Sequence, residues 1–167
     1  MSKVMLKNVR LSFPSLFKRA SFDGKEGKFE GTLLLPKSDT KTYELINKAI
    51  DEALAEAKIK VPADKRFLKD GDDSDYDGYA GNWSIKAANN NRPLLIDRDK
   101  NPVTEDDGIL YAGCYVNAQI GVWIQNNQYG KRVNANLYGL QFVKDGESFG
   151  TDTSSKIDDF DDVADDF

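Results

Sequence analysis

Histidine is absent from the 167 residues, cysteine occurs once, proline five times, and no apolar run exceeds a few residues. Without an imidazole there is no side chain poised as a general base near neutral pH, no Ser-His-Asp or Cys-His pair, and no His-ligated zinc. Cys114 alone forms no internal disulfide. The apolar stretches fall far short of the roughly 20 residues that span a bilayer. The opening Met1-Ser2-Lys3-Val4 lacks the apolar core of a signal peptide. No Walker-type glycine loop is present to cradle a phosphate. The expectation is a soluble, cytoplasmic, non-enzymatic protein with no cofactor and no membrane partner.

Charge is present in both signs but is unevenly placed. The chain holds 23 Lys and Arg against 28 Asp and Glu, a net −5. Residues 151–167 alone contain seven Asp and one Lys, a charge of −6, which leaves +1 on residues 1–150. The reading is one domain over 1–150, large enough to bury a core, followed by a separate acidic tail.

Within the body, Val4–Phe13 predicts a strand ended by Pro14, and Phe29–Leu35 a second, with a long hairpin tip between them. After the capping oxygens of Ser38, Asp39 and Thr40, the residues Tyr43, Ile46, Ile50, Leu54 and Ala57 recur at helical spacing, which predicts a helix over 40–57. Residues 58–82 read as irregular and acidic, and Trp83–Ala88 and Pro93–Ile96 as short strands. From Cys114 to Ile124 every even position is apolar, the period of a half-buried strand. Its partner runs from Lys131 to Val143, with a change of apolar phase after Gly139 that predicts a bulge. The fold class is mainly β: a five-stranded Greek-key barrel with one long helix.

The outward face of that last hairpin carries Tyr115, Asn117, Gln119 and Trp123 on one strand and Arg132, Asn134, Asn136 and Tyr138 on the other. Aromatics interleaved with amides and a cation suit a platform on which bases stack. A covering helix or second subunit is the alternative. The tip residues Phe17, Lys18 and Arg19 would close over a single strand, and Lys86, Arg92 and Lys131 would extend the cationic track to phosphates. Trp83 shares its strand face with Ile85 and Ala87 and reads as core. The run Asp70–Gly78 matches positions 1, 3, 5 and 6 of a calcium loop from Asp73, but Ser84 stands where the bidentate Glu belongs, so no metal is expected. Asp97, Asp99, Asp106 and Asp107 fall in turns, which leaves a metal-dependent nuclease as a remote rival.

Residues 151–167 have the composition of a disordered segment. Apolar residues nevertheless punctuate the acids: Asp158, Asp159, Phe160, Asp161, Asp162, Val163, Asp165, Asp166, Phe167. Such a polyanion competes with nucleic acid for a cationic groove, and a terminal aromatic with its carboxylate suits a pocket on a partner protein.

The stretches NVRLSFPSLFKRA (8–20), LLLPKSDTKTYELINKAI (33–50), YAGNWSIKAANNNRPLLIDRD (79–99) and LYAGCYVNAQIGVWIQNNQYGKRVNANLYGLQFVKDGESFG (110–150) together resemble a family of bacteriophage single-stranded DNA-binding proteins of OB fold. The tail separately resembles those of bacterial and podovirus single-strand binding proteins, although it ends in Asp-Asp-Phe rather than Pro-Phe. The resemblance implies an OB fold, a homodimer, and a noncatalytic replication or recombination accessory that coats single-stranded DNA and recruits other proteins through its tail. In this reading Tyr115, Trp123 and Tyr138 stack bases, Lys86, Arg92, Lys131 and Arg132 hold phosphates, and Phe17, Lys18 and Arg19 enclose the strand. The rival from another class is a phage structural or interaction module whose aromatic face is a protein interface.

Overall fold

The computed structural model describes residues 3–22, 24–149 and 163. Its strands are β1 (Lys3–Ser15), β2 (Ser21–Phe22), β3 (Lys25–Glu26), β4 (Phe29–Pro36), β5 (Leu68–Asp70), β6 (Asn82–Asn89), β7 (Leu94–Ile96), β8 (Tyr115–Asn127) and β9 (Gly130–Lys144), with the helix α1 (Thr40–Ala57) between β4 and β5. The tail residues singled out above, Val163 excepted, lie outside the described residues.

Five strands close on themselves. β1 pairs antiparallel with β4 and β8, β4 with β6, and β8 with β9, while a parallel contact between Ala88 and Asn136 joins β6 to β9. The ring β1–β4–β6–β9–β8 is the OB-fold barrel that the sequence resemblance implies. β5 and β7 extend it at β6 and β9 into a seven-stranded sheet, so the segment 58–82 contains a short strand that its acidic composition hid. Period-two alternation sends Leu33, Leu35, Ile85, Ala87, Val116, Ala118, Ile120 and Leu137 into the barrel, all fully buried.

Curvature comes from bulges. β1 slips register against β8 between Leu6 and Val9, where Asn8 has φ 55°, and against β4 between Ser12 and Ser15, where Phe13 has φ 47°. The second bulge lets the strand continue through Pro14, because a residue outside the ladder needs no N–H to donate. The bulge expected near Gly139 is present: Gln119 faces Gly139 but Ile120 faces Leu137, leaving Tyr138 as the extra residue.

α1 spans the predicted residues. The Asp39 carboxylate accepts the Thr42 amide at 3.1 Å, and Lys58 closes the C-terminus in the left-handed conformation. Ile46, Ala49, Ile50 and Leu54 seat the helix on the core. Among the described residues no helix is long and apolar enough to cross a membrane.

Candidate functional site

The ladder registers place five residues in two short rows on the barrel surface. Ser12 faces Thr32, Thr32 faces Lys86, and Asn134 faces Trp123. β6 and β9 meet directly at Ala88 and Asn136; beyond that pair the segment entering β5 lies between them, with Leu68 facing Ile85 and the Phe67 amide donating to the Val133 carbonyl at 2.9 Å. The result is a broken row, Ser12–Thr32–Lys86 on one side of that segment and Asn134–Trp123 on the other. Thr32, Lys86, Asn134 and Trp123 line an open groove of about 1270 Å³.

The groove has a modest positive excess. Lys28, Lys65, Arg66, Lys69, Lys86 and Arg132 line it, against Glu30, Asp64, Asp70 and Asp73. Lys86 is exposed and lies 3.5 Å from Glu30. Lys28 sits 5.7 Å from the Trp123 ring centroid, so a cation stands beside the indole.

One wall is fastened by Lys37, whose ammonium lies 2.6 Å from both Asp70 and Asp72. The hydrogen bond from Lys37 holds the Asp70 carboxyl below its ordinary value, and the same partner does so for Asp72. Asp70, then Asp72, raises Lys37 above its ordinary 10.5. Asp72 also accepts the Gly81 amide at 2.7 Å. The acidic run at 70–78 is thus tied down at its start by the strand end that precedes α1. Trp83, half-buried, stacks on Tyr43 at 4.5 Å with Lys37 above its ring, so it joins β6 to the helix. The Asp97 and Asp107 carboxylates build turns by accepting backbone amides of residues 99, 101 and 104. No acidic group among the described residues has the arrangement to hold a metal ion.

Of the ten sequence-nominated binding residues, the groove gathers Lys86, Trp123 and Arg132. Tyr115 and Trp123 share a strand face, but eight residues at about 3.3 Å put them roughly 26 Å apart. Tyr115 lies between Arg10 (5.6 Å) and Lys144 (4.7 Å) at the other end of β8. Tyr138 lies over Gly121, with the Lys3 ammonium 4.8 Å from its ring. Lys131 is exposed at the β8–β9 tip. Phe17, partly buried, packs against the core, and its carbonyl accepts Arg92 at 2.7 Å. Arg19 and Arg92 both stand over the ring of Phe29, at 4.9 and 5.6 Å, and so brace the β1–β4 connection. Lys18 is exposed.

Sequence reasoning missed the other end of the groove. Phe13, Tyr76 and Tyr79 line it as a ring cluster, with Phe13 4.8 Å from Tyr76 and Tyr76 5.3 Å from Tyr79. The Tyr79 hydroxyl meets that of Ser12 at 3.0 Å. Phe13 read as the last residue of a strand and Tyr76 as part of a solvated acidic loop; only the bulge and the fold of the 71–81 segment bring them together.

A family model described as Enterobacter phage Enc34, ssDNA-binding protein, matches residues 2–167. Protein p50 of Acyrthosiphon pisum secondary endosymbiont phage 1 is 40% identical over 174 residues, covering 97% of this chain and 94% of its own. Among solved structures, the single-stranded DNA-binding protein from bacteriophage Enc34 in complex with ssDNA is 35% identical, with a TM-score of 0.83 over 89% of each chain. The single-stranded DNA-binding protein gp2.5 of bacteriophage T7 matches at 12% identity with a TM-score of 0.60, over 93% of this chain and 99% of its own. At that identity the likeness is one of fold.

Proposed function

Since the chain belongs to the Enterobacter phage Enc34 single-stranded DNA-binding protein family, we propose that it binds single-stranded DNA without sequence preference along the β4–β6 groove. The observation that carries this reading is the one groove that gathers Lys86, Asn134 and Trp123 with Lys28 and Arg132. Cations along such a groove hold phosphates while the indole stacks a base, and stacking tolerates any sequence because every base has a π face. The Enc34 relative's complex with ssDNA supports it. The same face and adjoining loops carry oligonucleotides in OB folds generally.

The role proposed for the chain is to coat single strands exposed during phage DNA replication or recombination, without catalysis. The acidic tail, residues Asp158–Phe167 above all, competes with DNA for the groove and recruits partner proteins. Two facts support the competition: the tail's −6 against the groove's small positive excess, and the position of Phe149, whose ring covers Gly78 in the loop that carries Tyr76.

The test is a binding titration of the full chain, and of a chain ending at Gly150, against matched single-stranded and duplex oligonucleotides over a salt series. Preference for the single strand is expected. Three phosphate contacts at about −0.7 each give a log–log salt slope near −2. The shortened chain binds more tightly at low salt and converges with the full chain at high salt. Absence of single-strand binding by both chains at low salt rejects the DNA reading, and equal affinities of the two chains reject the competition.

A further inference from the structure

The ring cluster at the β1 end of the groove has no role in the fold that accounts for its exposure. Phe13 is 53% exposed and Tyr76 60%, whereas Tyr79 beneath them is 5% exposed and fixed by its hydroxyl contact with Ser12. Phe13 holds φ 47°, a conformation that bulky side chains rarely adopt, within the bulge that turns its ring out of the ladder. The loop that carries Tyr76 is held at three places. Lys37 bridges Asp70 and Asp72, Asp72 accepts the Gly81 amide, and the Phe149 ring lies on Gly78. Two exposed rings are therefore presented on a fixed floor, in the groove that Trp123 also lines.

We propose that Phe13 and Tyr76 form a second base-stacking station, which takes a base of the same single strand whose other end stacks on Trp123. The inference rests on the DNA reading of the groove. Continuity selects the occupant: the cluster lines the same groove as Lys86, Arg132 and Trp123. Charge selects the part of the nucleotide that binds. Asp73, Asp75 and Asp77 surround Tyr76 in sequence, and Asp73 lines the groove, so phosphates are repelled here while an uncharged base face is not. The station contributes stacking without counterion release, and its contribution is independent of salt. Strand ends of different length then sense different parts of the groove: a short oligonucleotide is served by the Trp123 end, with its cations, and a longer one reaches both.

The experiment compares the full chain with Y76A and with F13G, glycine being at ease at the positive φ of position 13. Each is titrated with oligo-dT of about 4 and about 16 nucleotides, the range of site sizes for one OB fold, over a salt series, with thermal melts as a check on folding. Expected is about tenfold weaker binding of the long oligonucleotide by Y76A, an unchanged salt slope, and unchanged binding of the short one. F13G gives the same pattern, and because Tyr76 is exposed, Y76A melts with the parent. If both variants bind the long oligonucleotide as the parent does while W123A is weakened, the second station is wrong and the groove reading stands. If Y76A lowers the melting temperature without lowering affinity, the cluster is a structural clasp and the proposal fails. If the parent binds neither oligonucleotide, both readings fail together.

Discussion

Trp123 and Tyr115 are two aromatics of one strand face with opposite surroundings. Trp123 stands half-buried beside Lys28, facing Asn134 across the ladder, in the groove that Lys86 also lines. Tyr115 is held between Arg10 and Lys144, and the Gly113–Gly146 backbone approach closes around it. Replacement of each by alanine separates the roles. Trp123→Ala removes a base-stacking surface worth about 1–3 kcal/mol, a loss of roughly 5- to 150-fold in affinity for oligo-dT. Tyr115→Ala leaves affinity unchanged and lowers the melting temperature, since it unpacks the segment that runs from Lys144 to Phe149. Fluorescence-anisotropy titration beside a thermal melt reads both outcomes. Period-two alternation identified these residues as outward-facing, but it carries no information on how far apart they lie around a closed barrel or on which cations the ladder brings near them.

The elements with strong local signals were legible in the sequence. Helical spacing located α1, period two located β8 and β9, and the phase change at Gly139 anticipated the bulge at Tyr138. What local pattern does not encode is pairing between distant segments, and the loop 71–81 is the clearest case. Its acids looked solvated, yet Asp70 and Asp72 clasp Lys37 from the end of β4. This clasp has a definite pH window. Both carboxyls titrate below their ordinary 3.8, so their stabilisation is present above that value and lost as pH falls through the lowered one. Lys37 titrates above its ordinary 10.5, so its stabilisation is present below that value and lost as pH rises through the raised one. The loop is fastened across the neutral range and released in acid. Lys37→Met is expected to speed hydrogen exchange at the Gly81 amide near neutral pH. That difference from the parent shrinks once the carboxyls are protonated. Equal exchange in the two proteins at neutral pH would show that the other contacts of the loop suffice to hold it.

At the scale of the molecule, a net charge of −5 describes no surface that a partner meets. The body at +1 gathers six cations and four carboxylates around one groove, and the tail carries −6. On the proposed reading, so slight an excess makes the binding lean on stacking as much as on phosphate contacts, and competition by the acidic tail belongs to the same proposal. The barrel was legible as a mainly β fold from its strands, and as an OB fold from the resemblance. Which of the nominated residues share a groove was not, because that depends on the ring closure between β6 and β9, a contact between residues 48 positions apart. The central claim is that single-stranded DNA lies in the groove that Trp123 lines. Trp83→Phe leaves Trp123 as the one indole of the chain, and Phe retains a ring against Tyr43. In that variant, emission titrated with oligo-dT should be quenched in step with binding measured independently by anisotropy. Binding with no change in Trp123 emission would place the DNA elsewhere and contradict the account.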